Sequence, residues 1–245
     1  MSKKYSNKGY QARAAVQPKK DNTNTVITWV TVGLCLAVVA AIVVAIMVAT
    51  GAFTQTVEVD MAEVKSEINA FKAEDFAQTD KVTEYVKITV KDYGDIVVRL
   101  RPDVAPKTVK NFQELVKDGH YSGKIFHRVI QEFMIQGGGF DGTGTQHKAD
   151  SIKGEFTANG FKNNLLHVRG VISMARLGTD NDSASNQFFI CDATKPHLDT
   201  QYASFGYVLA GMEVVDAIAA VDTDGNDKPY ENVIIEKVVF VDPLK

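Results

Sequence analysis

The chain has 245 residues, of which 45% are hydrophobic, and a formal net charge of −3 at pH 7; that length allows one large domain or two small ones. The charge is uneven, because the first 25 residues hold Lys3, Lys4, Lys8, Arg13, Lys19 and Lys20 against Asp21 alone, a net of +5 that leaves −8 for the remainder. An acidic remainder argues against nucleic acid as the main partner of the folded part, and two cysteines in dissimilar surroundings, Cys35 and Cys191, make no disulfide framework.

Residues 1–25 are polar, basic and without periodicity, the pattern of a disordered tail. Residues 26–49 carry no charge and are dominated by Val, Ile, Ala and Leu, with Trp29 near the start. About 20 such residues cross a bilayer as a helix, and an indole favours the interface. A buried soluble helix is the weaker alternative at this length. A cleaved signal peptide is the more serious one, but the run exceeds the ~7–15 residues of a signal core, so an uncleaved anchor is expected. Cys35 follows Leu34 inside the run and does not suit a lipoprotein. Six Lys/Arg precede the span, whereas Glu58, Asp60 and Glu63 come before the first basic residue after it, Lys65. The flanking charge therefore predicts a single-pass cell-membrane protein with a cytoplasmic N-terminus and the long C-terminal part outside.

Residues 50–80 read as a stalk or linker. Val57, Met61, Val64, Ile68 and Phe71 fall on one helical face over about two heptads, too few for a coiled coil. A stalk helix packed on the domain is the first reading, and weak self-association through the stripe the second. The domain is expected over 81–245. Tyr85–Val90 and Ile96–Leu100 alternate around Asp92-Tyr93-Gly94-Asp95 as a hairpin. Pro106 opens a helix with Val109, Phe112, Leu115 and Val116 on one face, ended by Gly119. Gly137-Gly138-Gly139 and Gly142-Thr143-Gly144 are expected to be turns and loops, because neither a Lys-Ser/Thr ending nor a following helix supports a phosphate loop. Short strands follow near 171–174, 188–190 and 204–208, then a helix over 211–220 and a last strand over 233–241. Many strands and two helices around one core predict a mainly β fold, a closed barrel capped by two α-helices.

The centre of the chain is Phe126-His127-Arg128-Val129-Ile130-Gln131-Glu132-Phe133-Met134-Ile135-Gln136-Gly137-Gly138. It contains two apolar runs closed by glycines, with a cation set between Phe126 and Val129. Burying that cation would be costly unless something paired with it. Arg128, Phe133, Met134 and Gln136 could line one shallow pocket suited to a greasy, carbonyl-rich ligand such as a peptide. Metal or nucleophile chemistry has little support. His120, His127, His147, His167 and His197 lack ligand spacing, Cys191 lies on an apolar run, and Ser185 has no base context.

The same stretch resembles the cyclophilin family of peptidyl-prolyl cis-trans isomerases. Further matches follow in order: Gly170-Val171-Ile172-Ser173-Met174-Ala175, Ser185-Asn186-Gln187-Phe188-Phe189-Ile190, His197-Leu198-Asp199, Phe205-Gly206 and Gly211-Met212-Glu213-Val214-Val215. The resemblance covers roughly Val82 to the C-terminus and implies an eight-stranded antiparallel barrel that isomerises X-Pro bonds, with no cofactor and no metal; with the expected anchor and outward-facing domain, its substrates would be exported or surface polypeptides. It implies that Arg128 donates to the prolyl nitrogen, that Phe133, Met134, Phe189 and Leu198 form the proline pocket, and that Gln136 and Gln187 hold the substrate backbone. The backbone of Ala175 and Arg176 would pair with the peptide as a strand, and His127, His197 and Tyr202 complete the implied binding set. Animal members usually have tryptophan at the position of His197, histidine at that of Tyr202 and asparagine at that of Arg176. These departures look like bacterial members, and the missing indole implies weak cyclosporin sensitivity. The rival reading, from a different class, is a non-catalytic peptide-binding or chaperone module on the same fold; the presence of Arg128 favours the enzyme.

Overall fold

The computed structural model describes residues 58–244, which belong to one compact unit. The expected tail and membrane span lie outside the described residues. Within them no helix is long and apolar enough to cross a membrane.

Nine strands form one antiparallel sheet: β1 (Phe76–Gln78), β2 (Tyr85–Val90), β3 (Gly94–Leu100), β4 (Lys124–Ile130), β5 (Met134–Asp141), β6 (Val171–Met174), β7 (Phe188–Cys191), β8 (Ser204–Ala210) and β9 (Val233–Pro243). Their order is β1-β9-β2-β3-β8-β6-β7-β5-β4, and β9 also pairs with β4. The long last strand makes that closure by dividing its length. Val233–Ile235 pairs with β4, Ile235–Phe240 with β2, and Val241–Pro243 with β1. Strands β2–β9 therefore form a closed eight-stranded barrel, which leaves its members no free edge, and β1 is a short addition outside the ring.

The interior is filled by alternate residues of the strands and by one face of each of two helices. Helix α2 (Pro106–Lys117) buries Val109, Phe112 and Val116, and Phe112 meets Tyr121, Phe188 and Phe205 at ring separations of 5.0, 5.7 and 5.2 Å. Proline at the first turn suits a helix start, but Ala105 offers no capping side chain. Glu155 caps the helix from 47 residues away, its buried carboxylate accepting from the Lys107 and Thr108 N–H groups and the Thr108 hydroxyl at 2.8–3.0 Å. Helix α3 (Met212–Ala219) buries Val214, Val215 and Ile218 in the same core.

The segment expected as a stalk adds to this unit. Helix α1 (Met61–Glu67) is capped by Asp60, whose Oδ1 accepts from Ala62 N–H and Glu63 N–H. Its stripe faces the barrel wall: Val64 is buried with Leu165, Val171 and Leu209, with Met61 and Ile68 packed alongside. The helix is shorter than the five-residue stripe suggested, since Asn69 turns left-handed (φ 57°) and accepts from Met212 N–H through its side chain at 3.0 Å. Phe71 consequently lies beyond the helix and is exposed. Glu67 pairs with Arg99 at 2.8 Å and accepts from the Tyr207 hydroxyl.

One irregularity decides where Arg128 points. Phe126 pairs with Gly137 and Arg128 with Gln136, so His127 is an extra residue in β4. In a regular strand Arg128, two residues after Phe126, would share its inward face. The bulge reverses the alternation, so Phe126 and Val129 enter the core while Arg128 stands outside beside Gln136. The expected burial conflict for this cation is resolved by the backbone. Opposite, β5 carries Gly138 and Gly139 as additional residues between the partners of Ile125 and Phe126. The first glycine cluster is thus inside a strand, a correction to the turn and loop expected. The cause is close approach: a Cβ at Gly137 would lie 2.9 Å from the Phe126 ring, and one at Gly139 would collide with the Gln187 side chain. The second cluster is a turn, with Asp141 accepting from Thr143 N–H and Thr145 N–H.

Candidate active site

The outward residues of β5 and β7 build a second apolar layer on the barrel wall. Met134, Phe189, Cys191 and Leu198 are buried together, with Ile130, Phe133, Ala175 and Tyr202 packed at the margin. A cavity of about 140 Å³ opens over this layer, lined by Arg128, Phe133, Met134, Gln136, Ala175, Arg176, Phe189, Leu198 and Tyr202. All nine are among the twelve site residues named from the sequence. They come from β4, the β4–β5 turn, β5, the segment just after β6, β7 and the 3₁₀ turn Pro196–Leu198 with its exit, so the closed barrel brings together residues up to 74 positions apart.

The other three lie around it. Gln187 accepts from Gln136 Nε2 at 2.9 Å and lines a neighbouring polar cavity of about 420 Å³ with Lys148, Asp180 and Asn186. That cavity shares Gln136, Ala175 and Arg176 with the first. The His197 ring packs on Phe133 with centroids 5.7 Å apart. His127 does not line either cavity. Its ring packs on Phe140 at 4.6 Å with a buried Nδ1 that has no partner. Burial, with a smaller effect from Arg128 next door, lowers its pKa to about 4.

Two placements refine the residue roles. The Ala175 N–H already donates to the Gln187 carbonyl at 2.9 Å, so a peptide pairing there would meet the Ala175 carbonyl. The Arg176 guanidinium is held between the Phe156 and Tyr202 rings at 5.1 and 4.9 Å, and donates to Gln201, Leu177 and Gly178 carbonyls. It braces Tyr202 on the cavity wall.

Sequence reasoning missed the supports beneath this surface. Asp192 fastens the β4–β5 turn, accepting from Glu132 N–H through Oδ2 at 2.7 Å while its own N–H donates to the Phe133 carbonyl at 3.0 Å; Arg169 holds its other oxygen. Behind Phe189 the rings of His167 and Phe189 stack 6.0 Å apart. His167 Nδ1 lies 3.0 Å from Asp199 Oδ1 and Nε2 lies 3.0 Å from Ser173 Oγ. This is a Ser-His-Asp chain by connectivity, yet Ser173 is 0% and His167 2% exposed, so no substrate carbonyl can reach the hydroxyl. Its role is to hold Leu198, Phe189 and β6 in one arrangement. No local spacing signals it, since His167 and Asp199 are 32 positions apart. Burial pushes the Cys191 thiol up to about 12, which leaves no nucleophile there. Among the described residues no group of three or more His, Cys, Asp or Glu could hold a metal.

The arrangement is an apolar recess with a cation on its rim and two linked amides beside it. It can hold a small ring against Phe133, Met134, Phe189 and Leu198 while offering N–H donors to the adjoining peptide group. A closed antiparallel barrel bearing such a recess on its outer wall defines a peptide-binding barrel.

Comparison with known proteins then places the chain: it belongs to the cyclophilin-type peptidyl-prolyl cis-trans isomerase family, whose description matches residues 85–240. It is 40% identical over 186 residues to a putative bifunctional phosphatase/peptidyl-prolyl cis-trans isomerase of Streptococcus pyogenes, covering 64% of this chain and 39% of that protein's length. It is 44% identical over 152 residues to peptidyl-prolyl cis-trans isomerase A of Dickeya dadantii, covering 60% of this chain and 77% of that one. The crystal structure of a Cryptosporidium parvum cyclophilin-type isomerase, determined in the presence of the dipeptide Ala-Pro, aligns with a TM-score of 0.55 at 30% identity. It covers 63% of this chain and 97% of its own.

Proposed function

We propose that this protein is a peptidyl-prolyl cis-trans isomerase that accelerates rotation about X-Pro bonds in exported or surface polypeptides. The observation that carries this reading is the cavity that joins Phe133, Met134, Phe189 and Leu198 under the Arg128 guanidinium. Rotation of the amide meets a barrier of about 20 kcal/mol because resonance flattens it. No bond to carbon is made or broken, so neither nucleophile nor metal is needed. The requirement is a surface that prefers the twisted amide. On twisting, the prolyl nitrogen regains its lone pair and becomes an acceptor. A fixed N–H donor then binds it better than in the planar state, and an apolar floor withholds the water that favours the planar, more polar form. Arg128 is the donor and the aromatic and aliphatic side chains are the floor. The Gln136–Gln187 pair, hydrogen-bonded at 2.9 Å, steadies the flanking peptide groups.

We further propose that residues 26–49 anchor the protein in the cell membrane with the N-terminus cytoplasmic and the barrel outside, near emerging polypeptides. The charge-free run and the basic residues before it support this reading. Protease added to intact cells should remove the barrel, and a mature chain that begins after residue 49 would replace the anchor with a cleaved, secreted form.

The activity test is exchange between cis and trans forms of a short X-Pro peptide, followed by NMR without a coupling protease. The full-length protein should accelerate exchange, and Arg128→Ala should reduce the acceleration by about 100-fold or more, the scale of losing one aligned donor. Binding without acceleration in the wild-type protein would mean a holder of proline-containing segments.

A further inference from the structure

Arg128 is not alone on the cavity rim. Asp227 Oδ2 lies 3.2 Å from its Nε, across 99 positions of sequence. Among the described residues it is the one carboxylate in ion-pair contact with that guanidinium. We infer that Asp227 is the positioning residue of the isomerase: it fixes the plane of the Arg128 guanidinium and so aims the terminal nitrogens at the substrate amide. The inference rests on the isomerase reading of the site.

The turn that carries Asp227 is built to hold it there. Asp224 Oδ1 accepts from the Asn226 N–H at 2.8 Å and the Lys228 N–H at 3.0 Å. The Asp224 N–H donates to the Lys228 carbonyl and the Asp227 N–H to the Asp224 carbonyl. Asp227 itself has φ +63°, a left-handed conformation that costs most side chains and that Asp tolerates best with Asn. Its carbonyl accepts from the Val129 N–H at 2.8 Å. The turn is therefore stitched to the residue after Arg128, and the carboxylate is held from two directions.

Position on the guanidinium matters as much as contact. A carboxylate on Nε occupies the edge nearest the side-chain stem, and the planar fork then has one orientation left for its terminal N–H groups. Arg128 lines the cavity while Asp227 does not. The pair thus faces the substrate with its donor and stands behind it with its anchor. The side chains are 40% and 41% exposed, and ion pairs that open to water contribute little to stability. A strained residue on a pinned turn, spent on a pair of small structural value, is accounted for by function at the adjoining site.

The test uses the full-length protein and four forms: wild type, Asp227→Ala, Asp227→Asn and Lys228→Ala, the last changing the same turn without touching Arg128. X-Pro exchange and peptide affinity are measured by NMR, with the Arg128 Nε–H resonance recorded in parallel. Asp227→Ala should lower the exchange rate about tenfold, the scale of leaving one long side chain unordered. Peptide affinity should stay within about twofold, since uniform binding is unchanged. Asp227→Asn keeps an acceptor without the charge and should lose about threefold. In both variants the Arg128 Nε–H resonance should shift and exchange faster with water; the thermal midpoint should be unchanged in Asp227→Asn and slightly lower in Asp227→Ala, because alanine tolerates the left-handed turn less well than Asp or Asn, and Lys228→Ala should behave as wild type. Wild-type exchange rates in Asp227→Ala, or an equal loss in Lys228→Ala, would overturn the inference while leaving the isomerase reading intact. A wild-type protein without exchange activity would overturn both.

Discussion

The two faces of strands β5 and β7 are made from the same kinds of side chain and do opposite work. Ile135, Phe188 and Ile190 point inward and are fully buried in the barrel core; Met134, Gln136 and Phe189, one residue away, point outward and form the recess. On the inside Phe188 meets Phe112, Tyr121 and Phe126 at 5.7, 5.5 and 6.0 Å, all near perpendicular. On the outside Phe189, among the described residues, meets the rings of His167 and Tyr202 and turns its remaining side to the cavity. The inner layer is closed by the ring of strands. The outer layer is completed by whatever enters it. A period of two places core and site on the same short segments, so stability and binding are separable by single substitutions one position apart.

The inner layer should give the larger stability effect. Phe188→Ala leaves a cavity enclosed on every side and should destabilise by about 3–5 kcal/mol. Urea unfolding reads this as a lower midpoint. The folded fraction should keep an exchange rate per molecule within about threefold of wild type. A large loss of rate at full folding would mean that the core shapes the recess directly, and the separation of the two faces would fail.

The outer layer should give the reverse. Phe133 is half-buried, stands on the Asp192-fastened turn and touches His197 and Lys195. Phe133→Ala opens a gap that water fills, so the unfolding midpoint should move by about 1 kcal/mol or less. The exchange rate should fall about tenfold, the low end of what one apolar contact contributes in a binding pocket. A stability loss as large as that of Phe188→Ala would show that Phe133 is core.

How much of this was legible differs between the faces. Alternation in Tyr85–Val90 and the helical face of Val109, Phe112 and Val116 are local patterns, and they reappear as β2 and α2. The resemblance to the cyclophilin family implies all nine cavity residues. What could not be read is what depends on the partner strand. The extra residue at His127 has no signature of its own, since Phe-His-Arg-Val alternates no worse than its neighbours. Only the pairing of Phe126 with Gly137 and of Arg128 with Gln136 reveals the bulge that turns the arginine outward. The glycine cluster at 137–139 has the composition of a loop, and its cause is the nearness of Phe126 and Gln187 across the strands. Glu155, Asp227 and the His167–Asp199–Ser173 chain work across 47, 99 and 32 or fewer positions, beyond the reach of any local period.

Acid should act on the outer layer first. The side chains packed in the inner cluster are aliphatic and aromatic, whereas three histidines lie under or beside the recess. His167 supports Phe189, His127 neighbours Arg128, and His120 accepts from Asn186 Nδ2 at 2.8 Å, next to Gln187. Burial is the leading cause that lowers the pKa of each, to about 4 for His127. In the unfolded chain they titrate near 6.5. Between about 6.5 and 4 the unfolded state therefore binds protons that the folded state resists, and stability must rise with pH across that window. The contribution is fully present above pH 6.5 and is lost as pH falls toward 4. Carboxylates held low by arginine, Asp103 beside Arg101 and Asp216 beside Arg169, add their own loss only below their ordinary value of about 3.8, so the two windows are distinct. The urea midpoint should be lower at pH 5 than at pH 7, and His127→Gln should flatten that slope because its side chain no longer gains a proton. Exchange rates of the folded protein should fall only below the ordinary value of about 6.5, where His120, its pKa lowered by burial, at last takes a proton and can no longer accept from Asn186. Equal midpoints at pH 5 and 7 would show that these rings take up protons in the folded state without cost, and the recess would then be as indifferent to acid as the barrel core.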